Sequence, residues 1–158
     1  MTKKTTGGFT FIELVVVISV LGILAFMSLP RLTGAMNAHV LEMASQNLVS
    51  DIRLVQQLNI NSAGLPPAER CTLHFALDDS GKYFYFIRQG SATIKTVYLP
   101  PTVTWRIMPS SISFNDLGLP VGASQTIRLY SPQSDSLFVI IAASTGRARI
   151  SSNNETDK

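Results

Sequence analysis

From Phe9 to Leu29 the chain reads FTFIELVVVISVLGILAFMSL, and Glu13 is the only charged residue among those 21. An ionisable group within a membrane-length apolar segment is expensive and calls for a partner. Such a carboxylate can take up a proton, snorkel toward a headgroup, or pair with a cation. A second chemistry is suggested at the other end of the chain. Arg147 and Arg149 flank Ala148 in an expected terminal strand, so both point to one face, with Arg128 as a further candidate. Arginines so placed can contact phosphates, although two or three contacts give weak, strongly salt-sensitive binding. The plainer reading of the same pair is an edge strand guarded by charge. Nothing else in the chain has the spacing that catalysis or metal binding needs. Cys71 stands alone, and His39 and His74 are far apart, so no metal-ligand set and no cofactor is expected. Ser, His and Asp are present without a strand-to-helix nucleophile elbow, and no residue is assigned a catalytic role.

The element that must position Glu13 is a helix. Twenty-one residues span roughly 32 Å, which matches a hydrocarbon core of about 30 Å. A removable secretory signal peptide is the competing reading. The run is too long for that, no small-x-small cleavage site closes it, and a carboxylate interrupts it. Lys3 and Lys4 precede the run and hold the amino end in the cytoplasm, which sends the carboxyl end outward.

Past Pro30 the apolar positions become periodic. Leu41, Ala44, Leu48, Ile52, Val55 and Leu58 recur at steps of three and four, and Glu42, Gln46, Asp51, Arg53 and Gln57 suit a solvated face. One helix is therefore expected from about Thr10 to Leu58, loosened slightly by Gly22 and Gly34, with a bend or local melting near 26–34 where Pro30 removes a backbone donor. It should stop by Asn61-Ser62-Ala63-Gly64, ahead of Pro66-Pro67. The period then changes to two. Strands are expected over 72–77, 83–88, 93–99, 103–108, 112–114, 126–130, 137–143 and 147–150, separated by turns such as Asp78-Asp79-Ser80-Gly81 and Asn115-Asp116-Leu117-Gly118. Tyr83 to Phe86 place aromatics on both faces of their strand, read as sheet core plus a covered outer face. The fold class is α+β, a long amino-terminal helix packed on an antiparallel sheet pair or β-sandwich. The divisions are 1–8 (leader), 9–30 (membrane helix), 31–61 (its amphipathic continuation), 62–150 (exported β-rich domain) and 151–158 (polar tail).

The formal charge of +3 includes Lys3 and Lys4; without them 11 basic side chains face 10 acidic ones, a balance of +1. The pI of 9.2 therefore says little about a nucleic-acid-binding body. A single cysteine excludes an intramolecular disulfide, and Cys71 is expected to be buried as a small hydrophobe.

The segment Met1 to Gly8 followed by Phe9-Thr10-Phe11-Ile12-Glu13-Leu14 resembles the class III leader and amino terminus of type IV pilins and type II secretion pseudopilins. The resemblance rests on a short basic leader, glycine at the cleavage position, Phe as the first mature residue, Glu at the fifth, and Pro30 at the position of a helix-kinking proline. It implies that a prepilin peptidase cuts between Gly8 and Phe9 and methylates the new amino group of Phe9. It also implies that Glu13 meets the amine of a neighbouring subunit in a filament. Further on, Ser113-Phe114-Asn115-Asp116-Leu117-Gly118-Leu119-Pro120, Thr126-Ile127-Arg128-Leu129 and Thr145-Gly146-Arg147-Ala148-Arg149-Ile150 are similar to the GspH/FimT family of minor pilins and pseudopilins. That family implies a structural subunit with no enzymatic activity. It would be stored in the inner membrane and assembled with other pilin or pseudopilin subunits of a secretion pseudopilus or type IV pilus. Some relatives bind DNA for uptake through a Gly-Arg-x-Arg element, which Gly146-Arg147-Ala148-Arg149 matches. An enzyme anchored by an uncleaved helix is the alternative of a different class, and would need a catalytic cluster in the folded domain.

Overall fold

The computed structural model describes residues 10–132 and 134–152, with the side chains of 27–32 outside that set. One α-helix, Phe11–Asn61 (α1), runs about 76 Å. It starts at Thr10, whose side chain accepts the N–H of Glu13 while the Glu13 carboxylate accepts the Thr10 N–H, a reciprocal capping box. It ends at Ser62, whose N–H reaches back to the Leu58 carbonyl. The helix is unbroken through Gly22, Pro30 and Gly34, so the local melting expected there does not occur. Among the described residues no helix is long and apolar enough to cross a membrane. The run expected from Phe9 to Leu29 includes Phe9 and residues 27–29, which lie outside the described positions and side chains.

Among the described residues, a 3-10 turn at Pro67–Glu69 is followed by eight strands in chain order. They are β1 (Cys71–Leu77), β2 (Tyr83–Gln89), β3 (Ala92–Tyr98), β4 (Thr104–Ile107), β5 (Ser111–Ser113), β6 (Gln125–Tyr130), β7 (Leu137–Ile141) and β8 (Ala148–Ser151). All eight expected strands form. They make two antiparallel sheets, ordered β3-β2-β1-β5 and β4-β6-β7-β8. Two turns work as expected from their residues. Asp78 Oδ1 accepts the N–H groups of Ser80 and Lys82, and Asn115 Oδ1 accepts those of Leu117 and Leu119.

The carboxyl-terminal half of α1 lies against β1, β6, β7 and β8. Leu41, Leu48, Ile52 and Val55 are buried in one core with Leu73, Ile87, Ile127, Val139 and Ile141, and Ala44 and Leu58 pack against it. Phe75, Tyr85 and Trp105 meet between the two sheets, Trp105 edge-on to Phe75 at 5.2 Å. Cys71 is buried as expected, and burial raises its thiol pKa.

Asp51 departs from the expected solvated face. It is only 4% exposed and accepts hydrogen bonds from the Tyr85 hydroxyl (2.8 Å) and Lys95 Nζ (2.6 Å). The reason is its place beside Ile52 at the margin of the apolar stripe, where β2 and β3 bring up a donor and a cation. Asn59 and Gln56 fasten the same helix to loops. Asn59 bonds both the N–H and the carbonyl of Cys71 and the carbonyl of Phe114, and Gln56 Nε2 bridges the carbonyls of Gly118 and Gly146.

Candidate functional site

The first half of α1 is an apolar rod without a cover. Every described side chain from Thr10 to Phe26 is exposed, Phe11 at 83%. At its tip Glu13 Oε2 accepts both the N–H (3.1 Å) and the hydroxyl (3.0 Å) of Thr10, while Thr10 Oγ1 accepts the Glu13 N–H at 3.3 Å. Both bonds fall on one oxygen, Oε2. Sequence reasoning singled out Glu13 but not Thr10. The signal was present as a Thr-x-x-Glu pattern at the start of an apolar run. Gly8 and Phe9 lie outside the described residues. Gly22 is exposed, with open space where a side chain would stand, so nothing within a single chain requires glycine there. Pro30 is accommodated within the continuous helix.

The arginines of the carboxyl-terminal element divide. Arg147 is exposed just ahead of β8, and Arg149 is half-buried within it. Together with Gln46, Ser50 and Arg53 of α1 they line a cleft of about 470 Å³. Arg53 is the arginine that sequence reasoning missed, because only the packing of α1 beside β8 brings it there. Arg128 does not enter this cleft. Its guanidinium donates to the Ser136 hydroxyl at 3.0 Å and lies 5.4 Å from the centre of the Phe138 ring. Gly146 turns the chain into β8 at φ +66, with the Gly118 carbonyl and the Gln56 amide occupying the space of any Cβ. The glycine of the Gly-Arg-x-Arg element thus has a packing role of its own.

On the outer face of the first sheet, His74, Phe84, Phe86 and Tyr98 form a chain of ring contacts between 5.1 and 6.0 Å. This face was expected to be covered, and it is not. α1 occupies the opposite side, and the rings shelter one another. Burial and then the nearby Arg88 charge lower the His74 pKa. Its Nε2 is 2.8 Å from the Thr72 hydroxyl. That pair is half-buried on the outer face of the sheet and does not build a nucleophile with an oriented base. Among the described residues no cluster of His, Cys, Asp and Glu could hold a metal ion.

Residues 3–29 match the family pattern described as the prokaryotic N-terminal methylation motif. No curated protein matches the chain, and no solved structure does. The motif is a prepilin-type leader and supports a type IV pilin-like class of processed, structural subunit, cut by a prepilin peptidase and assembled with other pilins.

Proposed function

We propose that this chain is a minor pilin or pseudopilin of the GspH/FimT kind. A prepilin peptidase removes residues 1–8 and methylates Phe9. The segment 9–30 then holds the subunit in the inner membrane until it moves into the core of a short filament. There the Glu13 carboxylate pairs with the amine of a neighbouring subunit's Phe9, while the β-rich domain stays outside. The observation that carries this reading is the union of two features in one element. The methylation motif opens a helix whose first half is apolar and uncovered, while its second half is firmly docked on a β body.

Pairing two charges in a low-dielectric helix bundle favours one axial register, because leaving either unpaired is costly. The capping box prepares this by holding the carboxylate in place on Oε2. Glu13→Ala should leave export and cleavage at Gly8 intact and reduce recovery of the chain in sheared filaments. Recovery at the native level in that variant would overturn the pairing role. The secretion and pilus versions use the same helix in the same way, and neighbouring genes for secretion or for pilus assembly would tell them apart.

A further inference from the structure

The sheet β3-β2-β1-β5 turns one face to the core, and its outer face carries a row of rings. His74 of β1, Phe86 and Phe84 of β2 and Tyr98 of β3 follow one another across three strands. Neighbouring ring planes differ by only 16–32°, while the centroids stand 5.1–6.0 Å apart. Squarely stacked rings would lie about 3.5–4.0 Å apart. These rings are therefore slipped like tiles, and each keeps part of a face open. Tyr98 ends the row at 56% exposure, and the other three are half-buried.

Hydroxyls flank the row. Ser111 stands in register with His74 on one side, and Thr96 with Phe86 on the other. Arg88 lies two residues beyond Phe86 on the same side of β2, opposite Thr72. It is exposed and joins no ion pair among the described residues, whereas Lys95 on the inner side is answered by Asp51. None of these outward positions is Asp or Glu. The face thus offers open ring surface, neutral donors and acceptors, and one unanswered cation. A ligand that uses all three has apolar C–H faces, many hydroxyl or amide groups, and sparse negative charge. Nucleic acid fits this poorly, since one arginine neutralises one phosphate and no basic track follows the rings. A folded protein fits poorly too, because the open strip is far narrower than the roughly 800 Å² each partner of a stable contact covers. A chain of sugar rings fits. The three strands place their rings across about 10 Å, at about 4.8 Å per strand, which is room for a short run of pyranoses.

We propose that this outer face binds a glycan strand of the cell wall, a polymer of N-acetylated pyranoses that carries carboxylates. Sugar C–H faces lie on the Phe86, Phe84 and Tyr98 rings. Acetamido and hydroxyl groups exchange hydrogen bonds with His74, Ser111 and Thr96, and Arg88 takes a carboxylate. The inference rests on the filament-subunit reading, which puts the β-rich body outside the inner membrane. It also turns this face, opposite α1, away from the helix core. The cell wall is the polymer that a body still tethered to that membrane meets there.

The test uses the full chain, purified from membranes in detergent, with its amino terminus read by mass spectrometry. Insoluble cell-wall sacculi are the probe. The native chain should sediment with the sacculi, and soluble wall fragments should release it. Arg88→Gln and Tyr98→Ser, both at exposed positions, should each lower the sedimented fraction several-fold. Gln57→Ala on α1 should leave it unchanged. Where Tyr98→Ser fails to fold, Arg88→Gln still decides the matter, because it breaks no ion pair. Equal sedimentation of native and Arg88→Gln chains overturns the proposal. Equal retention on cellulose or on a polymer of uronic acids assigns the face to another glycan and overturns the wall contact. Displacement from the sacculi by poly-thymidine assigns it to nucleic acid and does the same. A chain that starts at Phe9 but stays in the supernatant overturns the wall contact and leaves the filament-subunit reading standing. A chain that keeps Met1 to Gly8 in cells with the peptidase overturns that reading, and the wall contact falls with it.

Discussion

Gly146 precedes two arginines that the sequence marks for anion binding, yet its own role is in packing. At φ +66, with the Gly118 carbonyl filling the space of a Cβ, alanine there is strained twice over. Gly146→Ala should lower stability by about 2–3 kcal/mol in urea unfolding, from a left-handed backbone plus a displaced loop. Exposed Arg147→Gln should change it by about 0.5 kcal/mol or less. Equal unfolding midpoints for the two variants would contradict this division. His74 makes a prediction about pH. Its ordinary value is near 6.5 and the fold lowers it, through burial first and Arg88 second. The unfolded chain therefore binds a proton that the folded chain resists. The His74 contribution is fully present above about pH 6.5 and is lost as pH falls toward the lower folded value. The melting temperature of His74→Phe should accordingly fall less between pH 7 and pH 5 than that of the native chain. Parallel curves would refute it. Of these side chains, Glu13 and the arginine pair could be read from the sequence because their types and spacing are local. Arg53 could not, because its partners lie about 95 residues further along.

The helix and all eight strands were readable for the same local reason, a period of three to four giving way to a period of two. What periodicity does not reveal is how the helix is fastened. Asp51 carries a charged side chain at the margin of an apolar stripe, and its donors Tyr85 and Lys95 arrive only when β2 and β3 fold against it. Asn59 is a polar residue in the last turn whose amide closes the buried backbone groups of Cys71 and Phe114. Asn59→Ala leaves those groups without partners and should cost about 3 kcal/mol, at roughly 1–3 kcal/mol for each buried group orphaned. Exposed Gln57→Ala, two residues away, should fall within about 0.5 kcal/mol of the native chain. Denaturant midpoints of the two variants measure the contrast directly. If Asn59→Ala matched Gln57→Ala, the polar fastening would be incidental and the apolar stripe alone would hold α1 to the sheets. Of the bend or local melting expected near 26–34, melting does not occur. A proline removes one helical donor, but one missing bond does not end a helix of 51 residues.

The molecule as a whole is an apolar rod joined without a break to a β-rich body. The two halves make different demands on their surroundings. The body satisfies itself with two sheets closed over one core, whereas the side chains of Thr10 to Phe26 have no cover within the chain. The methylation motif at residues 3–29 covers the lysines, glycines and carboxylate at the start of this rod, and in the function proposed above processing creates the cation that pairs with Glu13. The most direct measurement is the amino terminus of the chain recovered from membranes of cells that express a prepilin peptidase, read by mass spectrometry. The account predicts a chain that starts at Phe9 with one methyl group on its amine, and the unprocessed Met1 form in cells without the peptidase. A chain that keeps Met1 to Gly8 in both, or is cut at another bond, would contradict it.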